Sequence, residues 1–502
     1  MKKALFPIAL VFTALSLFAQ KEDNVWLFGG INAPDSTDAT TVFDFSGGGA
    51  PAIFAINEFI GFYQCSSTIS DKDGNLQLYS NGVNIYDDQH EIIGNGDEFA
   101  PSDIYPAGYD MPQGAIFFPF PGAANKYLYL HGEHAYYYAD DYYFVDGCSP
   151  LTWSVIEKVA GEWEVTAKQT VLSQDTLHGG KFTGVLHGNG RDWWLIVPPA
   201  FGRNEFRKYL IDPTGIQLHD LQPIGEDFYP GMGQVAMSPD GNWLAYYTWI
   251  EFDPLISGIA IDLYRFDRCT GQLSDPLRIF YDDDYGTGGV AFSKSSRFLY
   301  VSHPLFIYQF DLWANDIAAS RTTVAEWDGF VDAQGNPLFF ELLKTAPDGR
   351  IYITTFSGQP PSRFMGIIEQ PDSLGLACDV QQHSQYLPTN NYRTVPNQPF
   401  GFGLGAIAGS PCDTVVTAVT ERIERNTSIY PNPTTSLLQV DFPAATSGTL
   451  RLLSISGVEL RQWKVNGSRQ ATLYLDELPA GIYLLQVPLA DGRTEVHKVG
   501  IW

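Results

Sequence analysis

Basic side chains are scarce in this chain of 502 residues: 30 lysines and arginines stand against 57 aspartates and glutamates, a formal net charge of -27. A polyanion is bound by cationic side chains that displace its counterions, so nucleic acid is excluded as a partner. Charged residues of both signs make up only 17% of the chain, below the roughly 25% of an average globular protein. After residue 19 there is no long apolar run, so no transmembrane segment is expected in the mature chain. Cysteines number five, Cys65, Cys148, Cys269, Cys378 and Cys412, enough for two disulfides with one thiol left over. A link between Cys378 and Cys412, tying the end of the large domain to its last repeat, is the pairing we expect. A Gly-x-Ser-x-Gly elbow is missing, as is a Cys and His pair in a recognisable catalytic setting.

Aromatics, by contrast, reach 14%, and glycine and proline are plentiful. Six ten-residue windows repeat one junction of polar turn and apolar strand: DKDGNLQLYS from 71, AANKYLYLHG from 123, GNGRDWWLIV from 188, SPDGNWLAYY from 238, SKSSRFLYVS from 293 and APDGRIYITT from 346. Their spacing near fifty residues, without a helical period between them, predicts a β-propeller of four-stranded blades over residues 21–410, with seven blades at that repeat length. Pro239 and Pro347 preset a turn, Asp240 and Asp348 bond nearby amides, and Gly241 and Gly349 accept positive φ. Strands apolar at consecutive positions, such as NWLAYYTW, fit sheets covered on both faces. With six corners for seven blades, the ring is expected to close by pairing NVWLFGG (24–30) with GFGLGAIAG (401–409).

The chain's ends carry an address. Lys2 and Lys3 precede the apolar run Ala4–Ala19 and the polar QKEDN, the pattern of a secretory signal peptide over residues 1–20. No cysteine stands directly after the cut site, which argues against a lipid anchor there. The negative charge stops at the other end: residues 427–502 hold six acidic and six basic side chains. A polar linker over 411–426 separates the two regions, and alternating strands with short glycine turns predict a small Ig-like β-sandwich over 427–502.

Most of residues 24–410 resembles exported propeller proteins of Bacteroidetes-type bacteria, some associated with gliding motility. The resemblance is carried by SSTISDKDGNLQLYSNGVNIYD, HGNGRDWW, VAFSKSSRFLYVS running into IYQFDL, and APDGRIYI with QHSQYLPT after it. The C-terminal segment resembles the type A sorting domain of the type IX secretion system. Pro431, Asn432 and Pro433 match its opening turn, Gly457 its central turn, Gly481 and Tyr483 its Gly-x-Tyr strand, and Lys498 and Val499 its close. The ending GIW departs from the usual lysine-tipped terminus. The resemblance implies passage through the periplasm, the type IX translocon and surface-processing machinery as partners, and delivery outside the cell or onto the outer-membrane surface.

Candidate chemistry is sparse. The stretch YYYADDYYF offers Tyr136, Tyr137, Tyr138, Asp140, Asp141, Tyr142 and Tyr143 as ligand contacts, since tyrosines give broad contact area and carboxylates accept sugar hydroxyls. A long blade hairpin is the simpler reading of it. In HGEH, strand alternation puts His131 and Glu133 on one face and His134 on the other, with no third metal ligand identified, so we expect no metal site there. Asp71, Asp73 and Asn75 open a calcium-loop pattern whose closing Glu is absent; calcium there is the one cofactor to consider. Asp282, Asp283 and Asp284 read as a solvated loop. Arg191 and Asp192 stand beside Trp193 and Trp194, which read as core. The expected function is a cell-surface or secreted propeller that binds a glycan or a protein. A secreted hydrolase or lyase with carboxylates at the ring centre is the alternative.

Overall fold

The computed structural model describes residues 21–30, 40–58, 60–139, 143–199, 202–228, 232–250, 258–281, 286–356, 361–413, 427–454, 458–476, 478–489 and 494–501. It divides into two compact units, one ending at Val415 and the other beginning at Val416. The first contains seven antiparallel sheets among the described residues. Blade one holds β1 (Val25–Phe28), β2 (Thr40–Asp44) and β3 (Ala52–Ile56), and blade two β4 (Ser67–Ser70), β5 (Leu76–Ser80) and β6 (Ile85–Asp87). Blade three holds β7 (Ala115–Pro119), β8 (Lys126–Ala139), β9 (Tyr143–Val159) and β10 (Glu162–Ser173), with β11 (Leu177–His178) also paired to β9. Blade four is β12 (Thr183–Leu186), β13 (Trp193–Val197), β14 (Glu205–Asp212) and β15 (Gly215–Pro223). Blade five is β16 (Val235–Met237), β17 (Trp243–Ile250), β18 (Gly258–Phe266) and β19 (Leu273–Tyr281). Blade six is β20 (Val290–Phe292), β21 (Phe298–His303), β22 (Phe306–Asp311) and β23 (Thr322–Glu326). Blade seven is β24 (Phe339–Thr345), β25 (Ile351–Phe356), β26 (Ser362–Ile368) and β27 (Val380–Asn391).

Each sheet shares a core with both neighbours, which makes the arrangement a ring. Trp194 and Phe206 of blade four pack on Tyr246 and Tyr264 of blade five, and Phe298 and Tyr300 of blade six on Leu343 and Ile353 of blade seven. The ring closes where Trp26, Phe28 and Phe43 of blade one meet Tyr352, Met365 and Leu387 of blade seven. The other face of blade one, through Val25, Leu27 and Val42, meets Ile60, Phe62 and Tyr79 on the blade-two side. Because both faces of a blade are covered, β17 is buried at seven of its eight positions. Each large side chain so buried stabilises the ring by about 1.5–3 kcal/mol.

All six repeated corners join the first strand of a blade to its second. At one of them the Ser238 hydroxyl accepts the Asn242 and Trp243 amides, the Asp240 carboxylate accepts the Asn242 amide as well, and Gly241 takes φ +72°. In blade one most of the connection from β1 to β2 lies outside the described residues, and the turn Lys21–Asn24 leads directly into β1.

The expected closure is therefore corrected. NVWLFGG does not pair with GFGLGAIAG: β1 pairs with β2, Val25 to Asp44 and Phe28 to Thr41. Residues 392–404 instead return along the ring's axis, bridging in parallel to Ser67 through Asn397 and to Val185 through Phe400. The segment then runs on against blade four, where the Ile407 amide donates to Gly188. The expected disulfide is corrected too: Cys412 bonds Cys269, while Cys378, Cys65 and Cys148 are buried thiols. Glycine at 188 is what lets the bridge approach, since a Cβ there would lie 2.6 Å from the Cys412 sulfur.

The second unit is a single sheet folded on itself: β28 (Ser428–Tyr430), β29 (Leu437–Ser454), β30 (Glu459–Tyr474), β31 (Gly481–Pro488) and β32 (Thr494–Ile501). The long β29 pairs β28 along its first half and β31 along its second, with register breaks between Asp441 and Gly448. Its core is mainly aliphatic, Leu438, Val440, Leu450, Leu452, Leu473, Leu485 and Val499 among others.

Candidate functional site

The tyrosine-rich stretch lies on the β8–β9 hairpin, where Tyr136 pairs with Asp146, Tyr137 with Val145, Tyr138 with Phe144, and Ala139 with Tyr143. Asp140, Asp141 and Tyr142, at its tip, lie outside the described residues, as do Asp282, Asp283, Asp284, Gly457 and the leader 1–20. In HGEH the alternation we expected is broken by a bulge between Gly132 and His134. His131 is buried with its Nε2 2.9 Å from the Gly82 carbonyl, and burial lowers its pKa to about 4, whereas Glu133 is exposed; the two do not share a face. His134 Nδ1 meets Asp110 at 3.2 Å. The Asp71 carboxylate accepts the backbone amides of Asp73 and Asn75 and the Asn75 side chain, so this corner's donors come from its own loop. No three His, Cys, Asp or Glu side chains converge as metal ligands among the described residues. Arg191 and Asp192 form an ion pair at 2.7 Å, and Trp193 and Trp194 face the cores of different neighbours.

The sorting-motif residues do come together. The Asn432 side-chain amide donates to the Lys498 carbonyl at 2.7 Å, and the Gly500 amide returns a bond to Asn432 Oδ1 at 2.9 Å. Tyr483 pairs with Val499 and donates its hydroxyl to the Pro479 carbonyl, and Gly481 pairs with Ile501. Residues separated by nearly the whole unit thus form one patch, with the Lys498 side chain exposed beside it.

At the ring's centre the returning segment is bonded through amide side chains. Asn397 Nδ2 donates to the carbonyls of Ala115 and Phe182, and Gln113 bonds both the Val235 backbone and Asn397. Gln234 donates to the Leu343 carbonyl and accepts from Val290 and Leu343, and Thr394 donates to the Phe62 carbonyl. A void of about 20 Å³ remains along this axis, scarcely more than one water needs.

Where the segment emerges at the corner end, a cavity of about 450 Å³ opens. Phe400, Leu404, Pro239, Pro347 and Pro399 supply apolar walls, and Lys21, Lys294, Lys344 and Asp23 supply charge. The Lys344 amine lies 5.5 Å from the ring centres of Trp26 and Phe400. Protein packed around it lowers its pKa to about 8, against the nearby Asp23 charge, and burial in turn raises the Asp23 pKa. Beside them burial raises the Glu22 pKa to about 7. Asp348 also lines the cavity, and its carboxylate accepts from Arg350 at 2.8 Å and from the Tyr352 hydroxyl. Reading the sequence missed this site: Asp23, Lys344 and Phe400 are far apart in the chain, and only the returning segment brings them together.

Residues 428–501 match the family described as the secretion system C-terminal sorting domain, so the chain carries a signal for export to the cell surface or secretion. No helix among the described residues is long and apolar enough to cross a membrane. No curated protein matches the chain. Among solved structures it is similar to a putative 6-phosphogluconolactonase from Bacteroides uniformis, at 12% identity and TM-score 0.41, covering 75% of this chain and 99% of that one. It is also similar to a periplasmic gluconolactonase from Pseudomonas aeruginosa, at 10% identity and TM-score 0.36, covering 95% and 100%. A second putative 6-phosphogluconolactonase, from Bacteroides fragilis, gives 16% identity and TM-score 0.29 over 60% and 93%.

Proposed function

We propose that the protein crosses the periplasm, is passed outward by the type IX translocon, and acts at the surface or in the medium as a propeller that binds a glycan or protein without transforming it. The observation that carries this reading is the occupied axis. Residues 392–404 fill the place where carboxylates from several blades would meet, and an open concave cavity lies at the corner end. Asp23, with its raised proton affinity beside Lys344, favours the second reading, a secreted hydrolase or lyase. A glycan array and a hydrolase screen on the exported protein separate the two. Retention of a ligand that survives unchanged supports binding; turnover that disappears in Asp23→Asn supports the enzyme.

A further inference from the structure

Three lysines meet at one cavity in a chain where acidic residues outnumber basic ones almost two to one. Lys21 and Lys294 stand exposed at its rim, and Lys344 reaches in from the end of β24 with part of its surface open to the cavity. Lys294 lies against the Gly349 corner, where a Cβ would come within 2.9 Å of its side chain, so the corner's glycine makes room for the lysine stem. Of the acidic groups lining the cavity, Asp348 is paired with Arg350, which also meets Glu369, and Asp23 interacts with the charges of both Lys344 and Lys294. The site therefore carries more positive than negative charge, beside the apolar faces of Phe400, Leu404 and three prolines.

We propose that this cavity, taken as the binding site argued above, selects an anionic saccharide: a uronic-acid residue whose carboxylate meets Lys344, Lys21 and Lys294 while its ring packs on Phe400 and Leu404. A cation confined among protein groups attracts a carboxylate more strongly than one in open water does, and an aromatic face beside it accommodates the apolar side of a ring. Neutral sugars of the same shape would lack the first contribution and keep the second. Because Lys344 titrates near pH 8, raising the pH through that value removes one of the three charges and weakens the complex. Asp23 is the charge acting on it, Lys294, Lys21 and Asp348 line the same cavity, and Glu22, which interacts with Asp23 and whose pKa burial raises to about 7, adds negative charge over the same rise in pH.

The test is calorimetric titration of the full chain with oligogalacturonate and oligoglucuronate, each paired with its carboxyl-reduced counterpart, as wild type and as Lys344→Met, Lys21→Gln/Lys294→Gln and Phe400→Ala. The expected result is binding of the acids at least about tenfold tighter than of the reduced sugars, roughly one charge-assisted contact's worth. That preference should fall between pH 7 and pH 9 and be lost in Lys344→Met. The exposed double variant, which leaves the core untouched, should weaken acid binding about threefold to tenfold and flatten its salt dependence. Equal binding of acid and reduced sugar, sensitive to Phe400→Ala but not to the lysines, would overturn the anionic selection and leave the cavity as a binding site. If neither sugar form binds and Phe400→Ala changes nothing in the glycan array, the cavity reading fails with it.

Discussion

The two units of this chain solve burial in different ways. In the propeller, β13 is buried at all five positions, because the strand is covered by a neighbouring blade on each face. In the sorting domain, β32 alternates exposed and buried almost throughout, because its sheet has one core and one wet side. The first unit holds all the excess negative charge and a core rich in Trp, Tyr and Phe; the second is neutral over 427–502 and its core is mainly Leu and Val. A blade cannot be stable without its neighbours, whereas the sorting sheet encloses its own core and is recognised as a unit. The cargo is thus indivisible, while the export signal at 428–501 is self-contained.

The largest expected effect tests that division of labour. Removing residues 428–501 should abolish arrival at the surface and trap a folded propeller in the periplasm, with its melting temperature changed by less than about 3 °C and its ligand affinity intact. Surface delivery of the truncated chain, or loss of cooperative melting, would break the comparison by making the sheet part of the cargo's fold.

Next comes a matched pair of asparagines. Asn397→Ala strands two buried carbonyls on the ring's axis and should cost about 3–5 kcal/mol, since each orphaned buried group costs about 1–3 kcal/mol. Asn432→Ala breaks the clasp to Lys498 and Gly500 on an exposed turn and should cost only about 1 kcal/mol, in the sorting domain's transition alone. Equal costs in urea melts would mean that the axis is no more demanding than the surface. Breaking the disulfide with Cys269→Ser and Cys412→Ser should sit between, at about 2–4 kcal/mol, because the bridge closes a long loop across 143 residues. An unchanged ring transition would show that the returning segment is held by its amides alone.

The same contrast explains what could be read from the sequence. The corners at 71, 123, 188, 238, 293 and 346 were legible because turn chemistry is local, and the sorting motif because its residue types recur at fixed spacing. The returning segment was not: NNYRTVPNQPFGFG has neither strand alternation nor a turn signature, since Asn397 and Thr394 bond backbone carbonyls, and Gln398 the Thr68 hydroxyl, far away in the chain. The cavity depended on that path and was hidden with it. The bulge at Gly132 escaped for a similar reason: the alternation rule places His131 and Glu133 together, and only the pairing with β9 reveals the slip.

A further effect is a pH signature confined to the ring. Lys181 is buried with its amine over the Tyr246 ring and 3.4 Å from the Tyr247 carbonyl, and burial lowers its pKa from 10.5 to about 7 against the pull of Asp262. In the unfolded chain the amine keeps its ordinary affinity, so between pH 7 and about 10.5 the unfolded state holds more protons and ring stability gains from this group as pH rises. Lys181→Met has no such gain. Its stability relative to the parent should therefore be highest near pH 7 and fall by on the order of 2 kcal/mol by pH 10, while tyrosines and other lysines, common to both proteins, cancel in the difference. The sorting domain's lysines, Lys464 and Lys498, are exposed, so its own transition should not register the substitution at any pH. A difference that stays constant across this range would mean that the Lys181 amine is as well solvated in the ring as in the unfolded chain, and that its surroundings at Tyr246 and Tyr247 are wetter than its burial implies.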